Sequence, residues 1–205
     1  MTLPPRFTGD LAELPTHGYG HRSLTWWGVV AFFMIEGTAF AMAFGAYFFL
    51  AGGEQNWPPE PWQPPYLLAG SLFTLLLLAS EIPNTIIKRA SERKDLATVK
   101  KYLWVMVAIG VVLLVLRGFE FNSLNCRWTD DAYSSIIWAL LVLHASHLIT
   151  DWGDTVVLAA LMYTPVSHEG RRWVDVDENS LYWRYVWLLW IPIYLMIYWI
   201  PRWVS

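Results

Sequence analysis

The sequence predicts an all-α protein: an integral membrane bundle of five transmembrane helices, N-terminus cytoplasmic and C-terminus outside. Three observations carry this prediction: a shortage of charge, five apolar runs of spanning length, and a lopsided distribution of Lys and Arg. Of 205 residues only 15% are charged, where soluble domains average about 25%. Hydrophobic residues make up 56% of the chain and aromatics 17%, with 14 Trp, and the mean hydropathy is +0.35.

A spanning helix needs about 20 apolar residues. Runs that meet this fall at about 24–50, 66–87, 102–121, 133–162 and 181–201. They use up the length, so a single membrane domain over residues 1–205 is expected, with no separate soluble domain. The fourth run exceeds what a bilayer needs and is expected to tilt or project. The proline-rich stretch GGEQNWPPEPWQPP, residues 52–65, breaks any helix and forms the first loop. The N-terminus, with its prolines and acidic residues, lacks the charged-then-apolar layout of a cleaved signal, so the first span is expected to persist. No basic tail suggests a nucleic acid, and none is expected as a partner. Cys126 is the single cysteine, which rules out an internal disulfide and a thiolate metal cluster.

Orientation follows from the basic residues, because cytoplasmic loops carry the excess of Lys and Arg. Arg6 and Arg22 precede the first span. Lys88, Arg89, Arg93, Lys94, Lys100 and Lys101 lie in or beside the second loop, and Arg171 and Arg172 in the fourth. Those ten stand against Arg127 and Arg202 on the other side. Trp26, Trp27, Trp57, Trp62, Trp128, Trp173, Trp183 and Trp203 all fall near span ends, as an aromatic belt requires. The Trp-rich WRYVWLLW, residues 183–190, reads as a lipid or subunit contact surface.

Charged groups at bilayer depth are costly, about 2.5–3.5 kcal/mol each on insertion scales, and so mark candidate functional sites. Glu36 lies near the middle of the first span among small residues. It must be protonated or find a donor on another helix, and reads either as a proton-handling carboxyl or as a structural contact. In the fourth span His144, His147, Asp151 and Asp154 follow at spacings of three, four and three, placing them on one helical face. Three readings compete for that face: a metal site, a proton relay, and a polar seam holding the helix to its neighbours. His17, His21 and His168 lie outside the bilayer, so no second span supplies a His set. Arg117 and Glu120, three apart, can pair on one face of the third span. Glu81 and Arg184 can pair if the second and fifth spans touch; snorkelling to the interface is the alternative for both of these pairs.

These residues resemble a known family, subunit III of cytochrome c and quinol oxidases in its shorter, five-helix bacterial form. WWGVVAFFMIEGTAFAMAFGAYFF, from Trp26, resembles the family's W-G segment with a buried, carbodiimide-reactive glutamate, at Glu36. NWPPEP resembles its N-W-P-P-P loop. Gly110 followed by RGFEF resembles a Gly followed by Q-x-x-E-Y, which places Glu120 on the glutamate. HASH falls on T-G-x-H-G-x-H, carrying over His144 and His147. YWRYVWLLW resembles Y-W-H-F-V-D-V-V-W through Tyr182, Trp183, Val186 and Trp190. The departures are Arg117 for glutamine, Arg184 for histidine, Trp187 for aspartate, the missing glycines around the His pair, and the extra Asp151 and Asp154.

The resemblance implies an accessory, non-catalytic subunit of a respiratory haem-copper terminal oxidase in a bacterial cytoplasmic (inner) membrane. Members bind no haem or copper, which belong to partner subunits. They pack beside subunit I, within a complex that also holds subunit II, keep phospholipid in a cleft between helices, and sustain proton uptake. Glu36, His144, His147 and Glu120 are then the buried polar set, with Asp151, Asp154, Glu81, Arg184 and Arg117 as further ion-pair or seam residues. A subunit-III-like partner of a nitric oxide reductase is the alternative within the superfamily. An intramembrane His/Asp metalloenzyme and a small ion transporter are alternatives from other classes.

Overall fold

A computed structural model describes residues 18–204. Arg6 and His17 lie outside the described residues.

Among the described residues, five helices are long and apolar enough to cross a membrane. They are α1 (Leu24–Gly53), α2 (Leu67–Glu92), α3 (Leu96–Asn122), α4 (Ala132–Leu161) and α5 (Gly170–Tyr194). A single π-helical turn, Leu195–Trp199, continues α5 into a short terminal helix, α6 (Ile200–Val204). No strand occurs among the described residues. The helix starts have local causes. Asp95 caps α3, accepting from the Thr98 N–H at 3.2 Å, and Asp131 caps α4, accepting from the Ser134 N–H at 2.7 Å. The α2–α3 connection is only Arg93–Asp95. Lys94 takes the left-handed conformation there (φ 56°), and its N–H donates to the Ser91 carbonyl at 3.0 Å, closing the orphaned end of α2.

α5 begins at Gly170 rather than near residue 181. Its first turns, RRWVDVDENS, are too polar to register in a hydropathy window, yet Trp173, Val176, Asp177, Glu178 and Asn179 are all buried. At the other end Pro192 has no N–H to donate, and the widened turn follows it. The Met196 carbonyl in that turn accepts from the Tyr47 hydroxyl at 2.5 Å, fastening α1 to the C-terminal segment.

α2, α3, α4 and α5 form a closed four-helix bundle: α2 packs on α3 and α5, and α4 packs on the same two. α1 lies outside it, against α4 and touching α5. In its 30 residues only Phe40 and Tyr47 are buried. The rest of α1 presents Leu24, Trp27, Met34, Ile35, Met42 and Phe49 outward, an apolar surface that lipid or another membrane subunit would cover.

The tryptophans correct the belt reading in part. Trp27, Trp128 and Trp203 are exposed, but Trp57, Trp173 and Trp183 are buried in the protein. WRYVWLLW likewise divides: Trp183 and Trp190 point into the core, while Leu188 faces out. A buried indole needs an acceptor for its N–H. Both have one on α2, Ser80 Oγ at 2.9 Å for Trp183 and Thr74 Oγ1 at 2.7 Å for Trp190.

Candidate functional site

Glu36, on the face of α1 turned toward α4 and α5, meets two partners. His147 Nε2 of α4 lies 3.0 Å from its Oε1. The Tyr182 hydroxyl of α5 donates to both carboxylate oxygens, at 3.0 and 3.1 Å. The other ring nitrogen, His147 Nδ1, is 2.6 Å from the Leu143 carbonyl one turn back. A carbonyl only accepts, so Nδ1 carries a proton. Nε2 and Oε1 then hold one further proton between them, as imidazolium with carboxylate or as imidazole with carboxylic acid. Either way the pair is neutral overall, which removes much of the cost of burying two ionisable groups.

His144 is in a different cluster. One i, i+3 step turns a side chain about 60° round the helix, and here that step divides the two histidines between different neighbours. His144 Nδ1 lies 3.1 Å from Arg117 Nη2 of α3, and its Nε2 lies 3.1 Å from the Val186 carbonyl of α5. Since the guanidinium can only donate, Nδ1 accepts and Nε2 carries the proton. Arg117 also pairs with Glu120, whose other oxygen accepts from the Tyr198 hydroxyl. The guanidinium carbon sits 3.9 Å from the Phe73 ring centroid and 4.3 Å from that of Trp190, so aromatic rings cover it. This buried pair has no route to an interface, which excludes snorkelling for Arg117.

Glu81 and Arg184 do pair across α2 and α5, with Nε donating at 2.8 Å, and Asn84 Nδ2 donates to the second Glu81 oxygen at 3.0 Å. Asp151 and Asp154 share Asn179 of α5, whose amide donates to Asp151 Oδ1 at 3.1 Å and Asp154 Oδ2 at 3.2 Å. Asp151 Oδ2 has no hydrogen-bond partner. Among the described residues no three His, Cys, Asp or Glu side chains converge on a position that could hold a metal ion. Both nitrogens of His144 and of His147 are engaged within the protein, so the metal reading of the α4 face finds no ligand set.

Between α1, α4 and α5 lies an open cavity of about 760 Å³. Glu36, His147 and Tyr182 form one wall, Gly28, Val29 and Phe32 line its α1 side, and Asp151, Asp154 and Glu178 are among its other polar lining residues. Glu178 accepts from Thr25 Oγ1 at 2.6 Å and Ser23 Oγ at 3.3 Å, tying the start of α1 to α5. Sequence reasoning passed over Asn179 and Glu178 because they precede the hydropathy-defined fifth span. Tyr182 entered only through the family resemblance, and Tyr198 was assigned no contact, since a phenol in an apolar run reads as packing.

A sequence profile of the family described as cytochrome c oxidase subunit III matches residues 14–203. The chain belongs to the cytochrome c oxidase subunit III family. It is 27% identical over 190 residues to cytochrome c oxidase subunit 3 of Synechocystis sp., an overlap of 89% of this chain and 78% of that one. It is 23% identical to the cytochrome c oxidase subunit 3 of Thermostichus vulcanus, covering 91% and 92%. With the probable cytochrome c oxidase subunit 3 of Nocardia farcinica it shares 25% over 98% and 100% of the two chains. As a subunit III family member with five membrane-spanning helices, the chain is a multi-pass membrane protein and an accessory subunit of a terminal oxidase, the component of an assembly rather than its catalyst.

Proposed function

We propose that this subunit packs beside subunit I of a respiratory oxidase in a bacterial inner membrane, and that Glu36 is the group through which it supports proton uptake and sustained turnover. The observation that carries this reading is the Glu36–His147–Tyr182 contact: a carboxyl within hydrogen-bond reach of an imidazole and a phenol on the wall of an open cavity. A purely structural seam would close such a contact away from space, as the Arg117–Glu120–His144 cluster is closed. Phospholipid fills the cavity, its chains lying against Gly28, Val29 and Phe32. The exposed apolar face of α1, and those of α2 and α3 that carry Leu75, Ile82, Val112 and Phe119, suit one flank on subunit I and one on lipid. The Lys- and Arg-rich segments at residues 88–101 and 171–172 support a cytoplasmic position for the N-terminal end of α1, and with it for the acidic end of the cavity.

The test is Glu36→Gln in the assembled oxidase. The amide keeps the shape and the Tyr182 bond but cannot exchange a proton with His147. Assembly, read as haem per copy of this chain in the purified complex, is expected to stay near wild type, while the number of turnovers before inactivation falls several-fold. An unchanged turnover lifetime would overturn the reading.

A further inference from the structure

The seam between α2 and α5 is a ladder of polar contacts. Lys88 Nζ meets Asp177 Oδ1 at 2.5 Å, and Asn84 Nδ2 donates to the Ser180 carbonyl at 3.0 Å. Arg184 Nε donates to Glu81 Oε1 at 2.8 Å, and the hydroxyls of Ser71 and Tyr194 share a bond of 2.7 Å. The Arg184–Glu81 rung stands out by where it faces. Its side chains are 37% and 24% exposed, yet Glu81 lies seven residues inside Lys88, about 10 Å along α2 at 1.5 Å per residue. Leu78 and Ile82 of α2 and Leu188 and Ile191 of α5 are exposed around it, so the pair is set into a surface that otherwise suits hydrocarbon. Arg184 is not reaching for the interface, since Nε and Nη2 are both given to Glu81. Among the described residues its Nη1 donates to no acceptor. Charged groups at bilayer depth almost always turn toward a bundle interior or a watery cavity. This pair turns away from its own bundle, where lipid tails offer no acceptor for an open N–H, and a headgroup held at the level of Lys88 stays about 10 Å from it.

We propose that the outer face of the α2–α5 seam is a protein contact inside the membrane, covered by a transmembrane helix of a partner subunit that presents a neutral hydrogen-bond acceptor to Arg184 Nη1. The docking rests on the reading of the chain as a subunit packed beside subunit I; the face and the bond are additional to it, and Glu36 has no part in them. Arg184 and Glu81 already cancel in charge, so a carboxylate from the partner would leave a net buried charge, which is costly. A Ser, Thr, Asn or Gln side chain supplies the acceptor without one, as polar side chains do between membrane helices. Leu78 and Leu188, on either side of the pair, then pack against the apolar part of the same helix.

The experiment uses the intact oxidase complex with the photo-crosslinker p-benzoylphenylalanine placed at Leu78 or Leu188, and at the exposed Ile35 of α1 or Val112 of α3 for comparison. Illumination and peptide mass spectrometry are expected to join Leu78 and Leu188 to one transmembrane segment of another subunit, within a turn of a Ser, Thr, Asn or Gln. Glu81→Leu with Arg184→Leu, which removes both charges together, is expected to raise the loss of this chain on detergent washing about three- to ten-fold, the scale of one hydrogen bond between membrane helices. Alanine at the linked polar residue of the partner should give a similar loss, and the two should not add. A linked segment without such a residue, a double variant retained like wild type, or additive losses overturn the bond to Arg184. Protein links from Ile35 or Val112 alone, with only lipid adducts at Leu78 and Leu188, overturn the docking face and leave the packing beside subunit I standing. Links to a second copy of this chain overturn the partner. No protein link from any of the four positions overturns both the face and the packing.

Discussion

At the scale of single residues, two histidines three positions apart have opposite surroundings. His144 is locked between a guanidinium and a carbonyl in the closed core, and its neighbours Arg117 and Glu120 are both buried. Removing one member of a buried pair leaves an uncompensated charge, at about 3–5 kcal/mol. Arg117→Leu should therefore destabilise by about that much in thermal unfolding of the complex, whereas Arg117→Leu with Glu120→Leu should recover most of the loss. A double variant no more stable than the single one would show that the pair's charge is not what matters. His147, by contrast, shares its proton with Glu36 beside an open cavity, and Tyr182 adds a second donor to the same carboxyl. Tyr182→Phe deletes a hydrogen bond to a charged or proton-sharing group, about 1.5–3 kcal/mol. Its expected signature in the oxidase is a shortened turnover lifetime in the same direction as Glu36→Gln, with α1 still docked.

At the scale of elements, the bundle depends on a few close approaches of helix backbones. A Cβ added at Gly110 of α3 would overlap the Trp152 ring of α4, and that ring cannot swing away freely because its N–H donates to the Val107 carbonyl at 3.1 Å. Gly110→Ala is thus expected to cost about 1–3 kcal/mol through overpacking. Gly118, in the same helix, has nothing within 4 Å of such a Cβ, and Gly118→Ala should stabilise α3 by about 0.5–1 kcal/mol. Opposite signs for the two substitutions in thermal unfolding are the check. The cap of α3 supplies a pH test. The side-chain and backbone donors of Thr98 hold the Asp95 carboxyl below its ordinary value. A depressed folded-state pKa means that the cap is fully formed at neutral pH, above the unfolded value, and is lost as pH falls through the lowered folded one. Amide exchange at Thr98 should accelerate across that acid window and not near pH 7.

At the scale of the whole molecule, four helices close on one another and a fifth is moored to them by polar contacts at three depths: Ser23 and Thr25 on Glu178, Glu36 on His147 and Tyr182, and Tyr47 on Met196. The distribution of basic residues predicts the orientation. With Cys126 replaced by Ser, a cysteine at Lys94 or Glu169 should react with an impermeant maleimide only from the cytoplasmic face, and one at Gln55 or Asp130 only from outside. The reverse pattern would invert the bundle and move the cavity's acidic end to the other side.

Helix number, the polar residues worth attention and the family were legible in the sequence, because burial in lipid demands long apolar runs and penalises every charge within them. Glu36, Arg117, Glu120 and the α4 series stood out for that reason alone. Partnership was not legible. The division of His144 from His147 depends on where α1 and α3 lie around α4, the inward turn of Trp183 and Trp190 depends on the hydroxyls of α2, and the polar first turns of α5 are helical because Lys88, Asn84 and Asp151 wait across the interface to bond them. Periodicity reports which face of a helix is apolar; only the packing of helices decides which polar groups meet, because those contacts join residues scores of positions apart in the chain.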